Sequence, residues 1–333
     1  MWAEPDKAVG FPAWGAAAGQ WARNFQRRLH RQYRRVKHFL LVPGDEQVRR
    51  MLPKGLAFFP NLAYREERRR CWMLDLVLPE EPAARPRPAL VFIHGGGWRT
   101  GDKRRGFFLH GAIYYATKGY VCATVNYRLT DEAPFPACLH DVRCAVRWLR
   151  ANGERYGVDP ERIGAYGNSA GAHLAAMLAL LPEHVTFDDD GPFQTYRSNV
   201  QAVCVSALPA DFANWRGGAA ALFLKHSLLA GPDETFEERA RAASPISYVR
   251  ADAPPFLVIH GAADLAVPVE QADRFVAALR LAGAKDVTYL RFAGQGHTVF
   301  NACADETYPA MEEFFQRTLK PQPPARLTEE YVL

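Results

Sequence analysis

The chain has 333 residues, 48% hydrophobic and 23% charged, an ordinary composition for a globular protein with room for one large α/β domain or two average ones. No apolar run approaches the roughly 18 residues needed to cross a bilayer; the longest near the motifs below, residues 174–181, has eight. The net charge of +5 is concentrated at the front, where residues 1–54 carry eleven lysines and arginines against four acidic residues, leaving the remainder slightly acidic.

Residues 1–60 read as a basic amphipathic extension. Between Asp6 and Asp45 there is no acidic residue, while Trp21, Phe25, Leu29, Tyr33, Val36 and Leu40 recur every three or four positions, the stripe of a helix. Such a helix suits an anionic membrane surface or a polyanion; the preferred expectation is that its stripe docks on the main domain with the arginines facing water. No nucleic-acid recognition motif accompanies the charge. Glu4, Asp6, Pro5 and Pro12 interrupt any signal-like segment, so a cytoplasmic location is expected, with peripheral membrane contact as the alternative. The six cysteines lie far apart without a C-x-x-C pair and are expected as free thiols, mostly buried.

From residue 71 onward, short β-rich runs alternate with helical patterns. CWMLDLVL, ALVFI and YVCATVNY are followed by a helix over 138–150, then RIGAY and a helix over 170–181. VQAVCVSAL, PFLVIH, a helix over 269–281, VTYLRF and a last helix over 308–319 complete the series. Alternation of this kind predicts the α/β class: a mostly parallel central sheet covered by helices on both faces. Residues 79–88 and 188–191 read as loops. Residues 209–250 lack strand character and are expected as a small helical excursion over the rim. The expected layout is therefore an extension over 1–60, a catalytic domain over 61–320 and an exposed tail over 321–333.

In open α/β sheets, ligands collect beyond the carboxyl ends of the strands, so polar residues just after each apolar run are the candidates for chemistry. ALVFI is followed by His94, three glycines and Trp98; RIGAY by the G-x-S-x-G of residues 167–171; FLVIH by Gly261 to Asp264; VTYLRF by Gly294, Gln295, Gly296 and His297. The corner YGNSAGAHL suits either a hinge or an exposed nucleophile. Ser169, Asp264 and His297 stand in the order that hydrolases of this architecture require. A serine hydroxyl is a weak nucleophile; His297 would take and return its proton, and Asp264 would fix the imidazole tautomer and stabilise the imidazolium. The N–H groups of Gly96, Gly97 and Ala170 are the candidate donors to the oxyanion that develops during acyl transfer.

Taken singly, Ser169 and Asp264 could be helix caps and His297 a surface loop residue; their joint placement favours a catalytic set. His173 and His260 are expected to pack rather than react. Trp98, Asn168, Leu208, Phe212, Trp215 and Val299 lie near the expected rim as candidate substrate contacts. Motifs for a metal or for a phosphate cradle are lacking, and no cofactor is expected.

With LDLVLP, VFIHGGGWRTGDK, VNYRL, residues 135–175, SALPADF, ASPISYV, PFLVIHGAADLAVP and GQGH, the chain resembles the α/β-hydrolase superfamily over about residues 65–320. Within it the resemblance is to carboxylesterases related to hormone-sensitive lipase and to the bacterial feruloyl-esterase-like enzymes. It implies a serine esterase acting on a small-molecule ester, with Ser169, Asp264 and His297 as triad and Gly96, Gly97 and Ala170 as oxyanion hole. Asn168 departs from the acidic or small residues that relatives often carry before the nucleophile. H-G-G-x-W together with S-A-G-A-H is also similar to kynurenine formamidases, and the fold hosts non-catalytic homologues, so both alternatives stay open.

Overall fold

The computed structural model describes residues 42–215, 222–232 and 235–320. Eight strands form one sheet: β1 (Leu56–Ala63), β2 (Met73–Pro79), β3 (Arg87–Ile93), β4 (Val121–Val125), β5 (Val158–Asn168), β6 (Ala202–Ser206), β7 (Phe256–Gly261) and β8 (Val287–Phe292). Their spatial order is β1-β2-β4-β3-β5-β6-β7-β8. The first two pairings, β1 with β2 and β2 with β4, are antiparallel, and all the others are parallel. The reversal between β5, running toward β6, and β3, running toward β4, opens the sheet's carboxyl edge at its centre, where Ser169 follows β5.

Every residue of β3, β4, β6 and β7 is buried, as expected of strands covered on both faces. Alternation along β3 assigns the faces. Ala89, Val91 and Ile93 join a core with Leu139, Val142 and Val146 of α3 (Ala137–Ala151) and with α4 (Ala170–Leu180). Leu90 and Phe92 face a second core with Phe107 and Leu109 of α2 (Phe107–Thr117) and Phe314 and Phe315 of α7 (Ala304–Leu319). Between them in sequence lie α5 (Phe236–Ala243) and α6 (Glu270–Leu281), and α1 (Asp45–Met51) is the first helix among the described residues.

Two differences from the sequence reading have physical causes. The boundary expected at residue 60 falls inside β1, and α1 precedes that strand, so residues 45–63 are built onto the sheet. Pro60 masks the strand: it is tolerated because β1 is the edge, and the pairing with β2 shifts register between Phe59 and Leu62, with Asn61 at φ +53°. The last helix begins at Ala304, four residues before the expected start, and runs through Pro309. Thr307 supports its first turn by donating to the carbonyl of Phe300 at 2.6 Å.

Residues 222–232 and 235–250 are largely helical, comprising a π-turn at Leu224–Leu228, α5, and a 3₁₀ turn at Pro245–Tyr248. All six cysteines are free thiols; five are buried and Cys303 is half-buried. No described helix is long and apolar enough to cross a membrane. The basic stripe from Trp21 to Leu40 and the tail over 321–333 lie outside the described residues.

Candidate active site

Ser169 occupies the single residue between β5 and α4, at φ +54° and ψ −118°, a conformation strained for any residue with a Cβ. Glycines make this corner possible. A Cβ on Gly167 would collide with the carbonyl of Gly171, and one on Gly171 with the carbonyl of Ile93, so the first turn of α4 can sit directly on the ends of β5 and β3. Ser169 is not a helix cap: its Oγ accepts from no N–H of α4 and makes no hydrogen bond with any described residue. Its backbone is nonetheless pinned, with N–H donating to the Ser206 carbonyl at 2.9 Å. The corner is thus a rigid mount with a free hydroxyl rather than a hinge.

Asp264, in the loop after β7, is buried and likewise is not the cap of α6. Its Oδ1 accepts from the N–H groups of Ala266 (2.8 Å) and Val267 (3.0 Å). Its Oδ2 lies 2.8 Å from His297 Nδ1. The loops carrying the pair are joined by the Ala263 N–H, which donates to the Gln295 carbonyl at 2.8 Å. Burial alone would raise the carboxyl's pKa, but hydrogen bonds from His260, His297 and the Val267 N–H outweigh it and hold the group well below the usual carboxylate range. Asp264 is therefore an anion poised to stabilise an imidazolium at His297.

The glycine loop after β3 is folded into a tight turn in which Arg99 and Thr100 N–H both donate to the Gly96 carbonyl, each at 3.1 Å. The N–H groups of Gly96 and Gly97 donate to no described acceptor, and space is open beside Gly97 Cα. The Ala170 N–H is the first unsatisfied donor of α4. His94, stacked on Tyr127 at 4.3 Å between ring centres, forms the loop's base, and burial pushes its pKa down to about 4. Downstream the chain is fastened by buried charge: Lys103 Nζ is 3.0 Å from Asp75 Oδ1 on β2, and Asn126 Oδ1 accepts the Lys103 N–H at 2.6 Å.

The candidate substrate contacts are distributed differently from expectation. Trp98, which ends the glycine loop, and Phe212 are buried and packed edge to face at 5.8 Å, with Trp215 stacked on Phe212 at 6.2 Å. Leu208 is fully buried in the core on the α3 and α4 face. Asn168 is half-buried and turned sideways, its Nδ2 3.4 Å from both the carbonyl and the Oγ of Ser206. Val299 does not line a rim: a short turn at Val299–Ala302 rotates it into the opposite core with Phe107 and Phe300, where it is fully buried.

Two histidines expected only to pack contact the site's framework. His260 Nε2 lies 3.5 Å from Asp264 Oδ2 and 2.9 Å from the Val267 carbonyl, and His173 Nδ1 accepts the Trp98 indole N–H at 3.2 Å. The position of His173, one helical turn after Ser169, was the available signal for its proximity. Among the described residues, no cluster of three or more His, Cys, Asp or Glu could hold a metal ion.

Comparison with known proteins adds a family context. Residues 74–279 match the BD-FAE family model. Esterase LipC of Mycobacterium tuberculosis is 33% identical over 229 residues, covering 68% of this chain and 56% of that protein. Esterase LipQ of the same organism is 35% identical over 222 residues, covering 66% and 52%. The chain thus spans about half the length of these relatives. Among solved structures, butyrate-bound Est2 of Thermogutta terrifontis superposes with a TM-score of 0.67 at 26% identity, covering 82% of this chain and 97% of that one. A truncated carbohydrate esterase from gut microbiota gives 0.64 at 26% identity, covering 79% and 96%.

Proposed function

The chain belongs to the BD-FAE family of α/β-hydrolases, and from that premise we propose that it is a serine carboxylesterase hydrolysing short-acyl or aryl carboxylic esters through an acyl-enzyme. The observation that carries this reading is the pairing of an uncapped serine on a strained strand-to-helix corner with a buried aspartate 2.8 Å from His297.

In the proposed cycle, Ser169 Oγ attacks the ester carbonyl carbon while His297 Nε2 takes its proton. The carbonyl oxygen becomes an anion held by the N–H groups of Gly96, Gly97 and Ala170, a type of donor worth about 3 to 4 kcal/mol each in barrier. Asp264 keeps the His297 proton on Nδ1 and stabilises the imidazolium. Collapse expels the alcohol, which receives the proton from Nε2; water activated by the same nitrogen then cleaves the acyl-serine. Ser169 and His297 share no hydrogen bond in the ligand-free geometry, and such contacts commonly tighten only with substrate bound.

Short-acyl preference is supported by the relation to Est2, whose structures hold butyrate and propionate. The test is a kcat/KM series over C2 to C12 p-nitrophenyl esters with methyl ferulate and N-formylkynurenine. An optimum at or below C8, activity on the formamide below that on the esters, and loss of turnover in Ser169→Ala are expected. Unchanged turnover in Ser169→Ala would overturn the mechanism. For the basic stripe we propose docking on the catalytic domain of a cytoplasmic protein; flotation of the full chain with anionic liposomes at low salt would reveal membrane attachment instead.

A further inference from the structure

His173 is fully buried on α4, and its two ring nitrogens have partners of opposite kind. Nδ1 is 3.2 Å from the Trp98 indole nitrogen, and Nε2 is 2.8 Å from the Ala243 carbonyl at the end of α5. An indole N–H only donates and a carbonyl oxygen only accepts. Both contacts are hydrogen bonds only if Nδ1 is bare and Nε2 carries the proton, so the surroundings specify one neutral tautomer. An imidazolium would set an Nδ1–H against the indole N–H. Burial acts in the same direction, pushing the His173 pKa down to about 4. Among the described residues no carboxylate acts on the ring: its aromatic neighbours are Trp98, Phe135 and Phe212, with ring centres 5.5, 6.2 and 5.0 Å away.

The partner on the other side of this bond is under conformational strain. Gly96, Gly97 and Trp98 follow one another at φ +118°, +59° and +56°. Glycine adopts such values freely, but for tryptophan a left-handed conformation is unfavourable and persists only where the surroundings hold it. The Trp98 carbonyl is held by the Thr130 N–H at 2.8 Å, which fixes the backbone from the side of β4. The indole is held from the other side by His173, on the helix that begins at the nucleophile. One ring therefore joins three parts: the glycine loop through Trp98, the nucleophile helix through its own backbone, and the helical excursion through Ala243.

Resting on the assignment of Gly96 and Gly97 as oxyanion donors, we propose that His173 is a positioning residue for the oxyanion hole, setting the direction of those N–H groups through its hydrogen bond to Trp98. It touches no substrate. Its effect belongs to the transition state, because the donors' direction matters most when negative charge develops on the substrate oxygen. The bond to Ala243 serves the separate purpose of holding α5 against α4.

The two bonds can be separated by substitution. His173→Asn places an amide oxygen near the former Nδ1, keeping an acceptor for Trp98 and losing Ala243. His173→Gln reaches Ala243 with its amide N–H and withdraws the acceptor from Trp98. With p-nitrophenyl butyrate, His173→Gln is expected to lower kcat about tenfold with KM within about twofold, less than the roughly 100-fold cost of deleting a donor outright. Inhibition by a trifluoromethyl alkyl ketone, whose adduct with Ser169 bears the same oxyanion, should weaken by a similar factor. His173→Asn should retain at least half of wild-type kcat and ketone affinity while losing thermal stability.

Trp98→Phe, which removes the donor from the loop side, should match His173→Gln, and the double variant should be no worse than either single one. It also provides the same readout if a substitution at 173 prevents folding. Equal behaviour of the Asn and Gln variants, or variants altered in Tm but not in kcat or ketone affinity, would reduce His173 to packing and overturn the proposal. Failure of the underlying esterase reading looks different: wild-type enzyme would then resist the ketone, and Ser169→Ala would keep its activity.

Discussion

His297 Nδ1 stands 2.8 Å from Asp264 Oδ2, across 33 residues of sequence, and this carboxylate oxygen has no backbone N–H partner. The division of labour between the two oxygens predicts a clean effect for Asp264→Asn. The retained amide oxygen can still accept from the Ala266 and Val267 N–H groups, so the loop should hold and the far-ultraviolet spectrum should match wild type. The amide NH₂ then faces His297 and forces the wrong tautomer. A loss of about 10⁴ in kcat with little change in KM is expected, read from steady-state kinetics with p-nitrophenyl butyrate; a loss below tenfold would remove Asp264 from the mechanism.

Gly97 and Gly171 should respond oppositely to one added methyl. Gly171 has no room, since its Cβ would collide with the Ile93 carbonyl at the end of β3, and Gly171→Ala should fail to accumulate as folded protein. Gly97 has open space at that point, and Gly97→Ala costs only the strain of alanine at φ +59°, about 1 kcal/mol. The methyl would crowd the proposed oxyanion position, so this variant should fold yet lose about 100-fold or more in kcat. Thermal melts and single-turnover kinetics on the two variants give the comparison; a fully active Gly97→Ala would move the oxyanion elsewhere.

What could be read from the sequence divides along physical lines. Ser169, Asp264 and His297 were legible as a group because each lies within five residues of the end of a strand whose β-rich run shows in the sequence, and their parallel arrangement brings those ends to one edge of the sheet. β1 was hidden because edge strands tolerate a proline that propensity counts against them. Val299 was misplaced because two residues after His297 the chain turns through Val299–Ala302 and points inward, a reversal that no periodicity announces. The contact of His173 with Trp98 spans 75 residues, and its chemistry appears only when the glycine loop is laid over α4.

Arg128 and Asp141 make a bidentate pair, Nη2 to Oδ1 and Nε to Oδ2 both at 2.9 Å, and the Arg128 N–H adds a third bond to Oδ2 at 2.8 Å. Asp141 is fully buried on α3 and also accepts the Trp72 indole N–H at 3.1 Å. Arg128→Ala would leave most of that buried charge without its main partner, a loss of about 3 kcal/mol. Tm should fall by several degrees, with Arg128→Lys intermediate because an ammonium cannot span both oxygens. KM should be nearly unchanged; a Tm within a degree of wild type would show that Trp72 and Arg65, whose Nε lies 3.5 Å from Asp141 Oδ1, suffice.

Stability should fall with pH well before carboxylates begin to protonate. His94 and His173 are both buried and held neutral, with pKa values lowered from 6.5 to about 4, burial being the main cause. Each imidazole binds its proton more readily in the unfolded chain than in the fold. Above pH 6.5 neither state is protonated and the full contribution is present; between pH 6.5 and 4 the unfolded state takes up protons that the folded state refuses, and stability declines. The scale is of the order of 3 kcal/mol for each histidine over that interval. For Asp264 and Asp102, burial raises the pKa, but hydrogen bonds prevail and lower it, so their stabilisation is present above the unfolded carboxylate range and is lost only as pH falls below about 4. Urea midpoints measured at pH 7.5, 6.5, 5.5 and 4.5 should therefore decrease from pH 6.5 downward, and His173→Asn, which cannot titrate, should have a shallower slope over the same range. A midpoint independent of pH from 7.5 to 5 would mean that these histidines are protonated inside the fold, and the tautomer that joins His173 to Trp98 would then be untenable.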